Sequence, residues 1–270
     1  MQFFILELRI FINMNNKRSE AFNEIAEIYN VARPNCPPEL IENVITIANI
    51  KENAKILEVS VGTGQATISF AQKGYAIHGL DPGDKLIAIA SENLSSYPKV
   101  TFEKVTFEDC QLKEKSFDLL ISAQAFHWVN REVGFSKAAL ALKDKGHIAL
   151  FWNFSPKSNT TVFQELEQAF QQYLPEMVYN PPSIYSLIEK RKNWILDSKC
   201  FKEPVFKEYV WSIDYDVDRY LNLLKTQTVY QQFSETEKQD LSTIVRKILN
   251  NHGGYISKPY LSALFCAEKM

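Results

Sequence analysis

The stretch "ILEVSVGTGQAT", residues 56–67, decides how the chain is read. An apolar run reaches a carboxylate, Glu58. Two glycines, Gly62 and Gly64, then follow with one residue between them. Apolar strand, acid and glycine turn in that order predict a nucleotide-binding strand–turn–helix unit. A dinucleotide site needs Gly-x-Gly-x-x-Gly, so that backbone N–H groups can meet a pyrophosphate. Here Thr67 stands at the third position. Glu58 would repel a pyrophosphate but suits a ligand carrying an ammonium or a sulfonium.

The neighbouring segments alternate. Residues 39–49 read as a helix, 55–60 as a strand and 66–72 as the next helix. "YAIHGLD" is a second strand that ends at Asp81, and "GDKLIAIASENL" is a helix. "VTFEKV" and "SFDLLISAQ" are further strands, "REVGFSKAALALK" a helix and "GHIALFWN" a fifth strand. Such alternation with short links is the mark of parallel βαβ units, hence an α/β sheet covered on both faces. Right-handed crossovers place all strand C-terminal ends on one edge, where open α/β sheets bind ligands. Upstream, Phe22, Ile25, Ala26 and Tyr29 repeat at helical spacing over 19–29, before "ARPNCPPEL" breaks the helix with three prolines.

Beyond Asn153 the rhythm changes. Residues 160–200 read as helical with a break at "NPPSIY". "PVFKEYVWSIDY" is a long strand, and 217–226 and 235–250 are helices. "NNHGG" leads from the last helix straight into a final strand, which therefore cannot be another parallel repeat.

Composition bounds the class. With 270 residues, 46% of them hydrophobic, the chain can bury one large core, or a core and a cap. The net charge of −2 gives no basic excess for a phosphate backbone, so no nucleic-acid partner is expected. Cys36, Cys110, Cys200 and Cys266 are scattered, with no Cys-x-x-Cys pair and no histidine at ligand spacing. They read as reduced thiols of a cytoplasmic protein without a metal site. "MQFFILELRIFIN" is interrupted by Glu7 and Arg9 and is too short to span a bilayer as a helix. No membrane association is expected. Residues 1–18 read as an extension without function, with Met14 as an alternative start.

Asp81 ends the second strand, 23 residues after Glu58. A carboxylate there can accept two hydrogen bonds from a ribose diol. A ribose, a cationic end and no pyrophosphate together describe S-adenosylmethionine.

Four segments in order, "ILEVSVGTGQAT", "GLDPGDKLIAIA", "FEDCQLKEKSFDLLISAQAFHWV" and "ALKDKGHIALFWN", give the chain a family likeness. It resembles the class I S-adenosylmethionine-dependent methyltransferases, in the small-molecule group whose first motif reads hydrophobic-hydrophobic-Glu-x-Gly-x-Gly-Thr-Gly. The resemblance implies a doubly wound, mostly parallel seven-stranded α/β sheet. "KPYLSALFCAEK" supplies its antiparallel last strand, and helices form a cap. It implies one domain over 19–270, with its core at about 40–153, 204–213 and 259–270. The cap falls at about 19–38, 154–203 and 214–258.

Site residues follow from the same resemblance. Glu58, Ser60, Gly62, Thr63 and Gly64 are expected along the cofactor's methionine and ribose, and Asp81 at the ribose. Ser60 departs from the family, which usually has glycine there. Thr106, Phe107 and Glu108 are expected at the adenine, with Asp109 as an alternative acid. Ser122 and Gln124 are expected beside the reactive end. Tyr29, Arg33 and Trp128 are assigned to a lid or to the substrate. His127 is the expected general base, because its ordinary pKa lies near working pH. His78, His147 and His252 read as structural, and Arg219 and Lys225 as solvated helix charges. The aromatics of the cap, Phe154, Tyr173, Tyr179, Tyr185, Trp194, Trp211, Tyr215, Tyr220 and Tyr230, would pack it or line a small organic substrate.

The expected function is in-line methyl transfer from S-adenosylmethionine to a small organic molecule, driven mainly by positioning. The alternatives are an S-adenosylmethionine-binding regulator without turnover, and a methyltransferase acting on protein or RNA. The acceptor, the atom modified and the oligomeric state are not legible.

Overall fold

The computed structural model describes residues 22–173, 183–227 and 229–270. The expected helix start at residue 19, the extension over 1–18 and Tyr179 lie outside them. Seven strands form one sheet in the order β3-β2-β1-β4-β5-β7-β6. They are β1 (Lys55–Val59), β2 (Ala76–Asp81), β3 (Val100–Lys104), β4 (Phe117–Ala123), β5 (Leu142–Phe154), β6 (Val205–Asp216) and β7 (Tyr255–Glu268). β7 runs antiparallel to both neighbours and the remaining pairs are parallel, as the sequence led one to expect. The strand order reverses between β1 and β4, the position where such sheets open a crevice.

Nine helices are described: α1 (Ala26–Ala32), α2 (Pro38–Ala48), α3 (Thr67–Ala71), α4 (Asp84–Asn93), α5 (Arg131–Ala141), α6 (Thr161–Gln171), α7 (Ile184–Asp197), α8 (Val217–Lys225) and α9 (Glu235–Asn251). Local chemistry sets their ends. α1 stops before the Arg33–Pro34 bond, where proline disfavours helix in the preceding residue. α2 starts on Pro38 and closes on left-handed Asn49. α9 opens with a reciprocal capping box between Ser234 and Glu237. β5 begins at Leu142, four residues before the expected start. Leu142 already pairs with Phe117, ahead of a register shift, and this ends α5 at Ala141.

Successive strand residues point to opposite faces. Leu57 and Val59 of β1 pack on one face with Phe135 of α5 and Ile195 of α7. Ile56 packs on the other with Leu40 of α2 and Phe70 of α3. A third cluster joins α6, α8 and α9 to Tyr215 and Tyr260, where β6 and β7 extend past the rest of the sheet. Each buried Leu or Phe in these clusters contributes about 1.5–3 kcal/mol. Two members of the third cluster, Leu223 and Tyr260, also line the cavity described below.

Candidate active site

A cavity of about 1410 Å³ opens at the C-terminal edge of the sheet, between the β1 and β2 turns and the helices beyond β5. Ser60, Gly62, Asp81, Thr106, Phe107 and Glu108 line one side of it. Gln124, His127 and Trp128 line its floor, and Tyr29 and Arg33 its rim. Glu58, Thr63, Gly64 and Ser122 lie behind this wall, and the structure gives each a packing or tethering place.

The turn after β1 is built on left-handed backbone. Ser60 has φ +60° and Gly62 φ +61°. A non-glycine residue bears a steric cost there, which is the physical content of the serine-for-glycine departure. A Cβ on Gly62 would make only ordinary van der Waals contact, with Gln65 and Tyr29, both at 3.9 Å. Gly64 is different. With φ +90°, its Cβ would stand 2.6 Å from Leu94 Cδ1, so this glycine lets the turn close on α4.

Asp81 is nearly buried at the tip of β2. The Gly62 N–H donates to its Oδ2 at 2.9 Å, and the Gly83 N–H to its Oδ1 at 2.9 Å. Burial pushes its carboxyl above the usual range and these two backbone donors oppose the rise. Each oxygen keeps a further lone pair, and the residue lines the cavity. A vicinal diol matches that donor-poor, doubly anchored carboxylate.

Glu58 shares the face of Ile56 and is 1% exposed. Burial pushes its carboxyl up to about 8. The Asp81 charge adds to the rise. Neither Glu58 Oε2 nor Thr67 Oγ1 reaches hydrogen-bonding geometry with any described residue. A buried orphan oxygen beneath the Gly62 turn is the feature that a cationic ligand would satisfy. Cys36 lines the cavity, its thiol pushed up to about 12 by burial and by the Glu58 charge.

After β3, the Thr106 hydroxyl donates to Asp109 Oδ2 at 2.6 Å, which turns Asp109 toward its own loop. Glu108 Oε1 accepts from Asn130 N–H at 2.7 Å, and Lys137 Nζ donates to the Glu108 carbonyl at 2.7 Å. After β4, Ser122 Oγ donates to the Val59 carbonyl at 2.9 Å and ties β4 to β1. Gln124 is left-handed at φ +60° and its N–H donates to the Phe151 carbonyl. The strained positions Ser60 and Gln124 thus flank the crevice from β1 and β4.

His127 and Trp128 form a single turn of 3-10 helix with Phe126. Trp152 Nε1–H donates to His127 Nδ1 at 3.1 Å. Phe22 packs edge-on against both Tyr29 and Trp128, closing the rim. The Arg33 guanidinium sits 5.2 Å from the centre of the Tyr29 ring. Its Nε–H and Nη2–H donate to Thr226 Oγ1 and O, each at 2.8 Å.

Sequence reasoning missed part of the far wall. Trp152 and Ser155 from β5 and its end, Arg191 from α7 and Tyr260 from β7 all line the cavity. The signal for them was positional. The end of β5 shares the C-terminal edge, and antiparallel β7 begins there, with Ser262 opposite Asn153. Of the cap aromatics, Phe154 and Trp194 line the cavity. Tyr173, Trp211, Tyr215, Tyr220 and Tyr230 pack the third cluster, and Tyr185 is exposed. Arg219 lies over the Tyr215 ring and Lys225 reaches Asn222. His78 and His252 lie near Glu103 and Glu165, at 3.3 and 3.0 Å. His147 is half-buried in β5, and burial lowers its pKa. Among the described residues no cluster of three or more His, Cys, Asp or Glu is placed to hold a metal, and no helix is long and apolar enough to cross a membrane.

The profile of a methyltransferase domain family matches residues 57–150. An uncharacterised methyltransferase of Mycobacterium tuberculosis is 27% identical over 135 residues, which are 50% of this chain and 53% of that protein. A Saccharomyces cerevisiae protein described as an S-adenosylmethionine-dependent methyltransferase is 26% identical over 133 residues, 48% of this chain and 45% of its own length. The match thus spans about half the length of these curated relatives. The crystal structure of an Anabaena variabilis protein, described as a methyltransferase from an antibiotic biosynthesis pathway, superposes with a TM-score of 0.60. It is 15% identical and covers 87% of this chain and 98% of that one. Residues 57–150 thus carry the likeness to a methyltransferase domain, within a sheet of the same fold as the superposed structure.

Proposed function

We propose that the protein transfers the methyl group of S-adenosylmethionine to a small organic acceptor. The observation that carries this reading is Asp81. It is a nearly buried carboxylate, anchored by the Gly62 and Gly83 N–H groups, and it faces a cavity beside an open glycine turn. Glu58, with its orphan oxygen, suits the charged amino end, and Thr106, Phe107 and Glu108 suit the adenine. When bound, the cofactor supplies a methyl group on a positively charged sulfur, whose departure as a neutral thioether needs no acid.

The chain's own task is therefore alignment and exclusion of water. Phe22, Tyr29 and Trp128 cover the rim, and Arg33 ties α1 to the end of α8 through Thr226. His127, the general base expected from sequence, lines the cavity, and its Nδ1 accepts a hydrogen bond from the Trp152 indole N–H. Trp152 and Phe154, with the Arg191 guanidinium over both rings, and Trp194 line the side of the cavity where an acceptor would lie.

Incubating the full chain with methyl-tritiated S-adenosylmethionine and a metabolite extract tests the reading. Label should appear in a small product identified by mass spectrometry. Tight binding of S-adenosylhomocysteine with no labelled product from any extract would favour a regulator without turnover. Label confined to protein or RNA would move the acceptor to a macromolecule.

A further inference from the structure

We propose that Asn153 is a specificity-determining residue of the acceptor side: its carboxamide N–H groups are held toward the cavity and donate to a carbonyl or carboxylate oxygen of the methyl acceptor. The inference rests on the methyltransferase reading above. Asn153 stands next to the C-terminal end of β5, lines the cavity and is 5% exposed. It pairs with Ser262 of β7, which pairs in turn with Tyr209 of β6, so the three side chains form one row on one face of the sheet.

A relay of buried donors fixes the amide. The Trp211 indole N–H donates to Ser262 Oγ at 2.8 Å, and the Ser262 O–H donates to Asn153 Oδ1 at 2.6 Å. An indole N–H can only donate, so Ser262 Oγ accepts there and keeps its single hydrogen for Asn153. Ser262 is fully buried, and among the described residues its hydroxyl donates to no other acceptor. Turning the amide over would strand that hydrogen in the core. Oδ1 therefore faces β7, and Nδ2 is left with both of its hydrogens. Among the described residues nothing accepts from Nδ2, and this nitrogen is not sealed within the core. Such a donor discriminates by sign. An oxygen lone pair satisfies it, whereas an ammonium sets donor against donor. The oxygen has two candidate sources, the acceptor and the cofactor's own carboxylate. The proposal commits to the acceptor, because β4 separates β5 from the β1 and β2 turns.

Calorimetric titration of the full chain, saturated with S-adenosylhomocysteine, tests this. The probes are phenylacetate, phenylacetone and phenethylamine, which carry a carboxylate, a carbonyl and an ammonium on one benzyl body. At least one oxygen probe should bind about tenfold or more tightly than the amine, and the tighter of the two tells carboxylate from carbonyl. Asn153→Asp keeps the oxygen that Ser262 needs and exchanges the donor for an acceptor. It should abolish or reverse the preference and leave S-adenosylhomocysteine affinity unchanged. In wild-type protein labelled at asparagine nitrogen, the Asn153 side-chain signals are identified by their loss in Asn153→Asp. They should shift when the tighter probe is added, a contact signature that a change of net charge does not reproduce. Should Asn153→Asp fail to fold, Ser262→Ala frees the amide and should cut the preference by a smaller factor. Equal binding of the three probes, no binding of either oxygen probe, a preference that survives the substitution, or unmoved Asn153 signals overturn the inference and leave the methyltransferase reading intact. Loss of S-adenosylhomocysteine affinity in Asn153→Asp, with the probe preference unchanged, assigns the donor to the cofactor and overturns it too. Failure of S-adenosylhomocysteine to bind the wild type would instead remove the reading beneath it.

Discussion

The two sides of the cavity are built differently. The side formed by the β1 and β2 turns is made largely of backbone and of residues close in sequence: Gly62 and Asp81 are 19 residues apart, Asp81 and Gly83 only two. The opposite side is made of side chains brought together from across the chain. Arg33 meets Thr226 over 193 residues, and Ser155 meets Lys258 over 103. On the proposed reading the first side, held by the Gly62 and Gly83 N–H groups on Asp81, faces the cofactor. The second, whose placement depends on the packing of α1, α8 and β7, faces the acceptor.

Substitutions that hit one side and spare the other break or sharpen this contrast. The largest expected effect is at Asp81. Asp81→Ala removes the acceptor of the diol and orphans two backbone N–H groups, so S-adenosylhomocysteine affinity should fall by about 1–3 kcal/mol in calorimetry. Gly64→Ala should lower stability by about 1–3 kcal/mol in denaturant unfolding, because Leu94 blocks the added Cβ and φ is +90°. If it does not, the turn is looser than this packing requires.

Glu58 gives a pH signature. Its folded carboxyl sits at about 8, above its value of 4.5 in the unfolded chain. The native state therefore holds a proton that the unfolded state releases between those values. This group's contribution to stability is full below about 4.5 and is lost as pH rises toward 8. A cationic ligand favours the ionised form, so cofactor affinity should rise with pH up to about 8, with proton release. Glu58→Gln should flatten both profiles, and an unchanged profile would detach Glu58 from the site. The smallest effect is at Ser60. Ser60→Gly relieves left-handed strain but frees the unfolded chain, so stability should change by less than about 1 kcal/mol. A large loss would mean that the serine hydroxyl makes a contact the fold depends on.

The same contrast explains what was legible in the sequence. β1, its glycine turn and Asp81 are read within one short window, because strand period, turn chemistry and spacing are local. The antiparallel β7 was legible because "NNHGG" leaves no room for a crossover. The far wall was not. Nothing local marks Ser155 or Arg191 as facing a cavity, since their positions are fixed by β7 pairing with β5 and by α7 packing over Trp152 and Phe154. For His127 the residue type suggested a base, and nothing local in the sequence announced the Trp152 indole N–H that donates to its Nδ1 at 3.1 Å.

The most direct measurement is a calorimetric titration of the full chain with S-adenosylhomocysteine and with NAD, repeated on Asp81→Asn. The account predicts saturable binding of S-adenosylhomocysteine, weakened in the variant, and no binding of NAD. Binding of NAD to the wild type with no response to S-adenosylhomocysteine would contradict it.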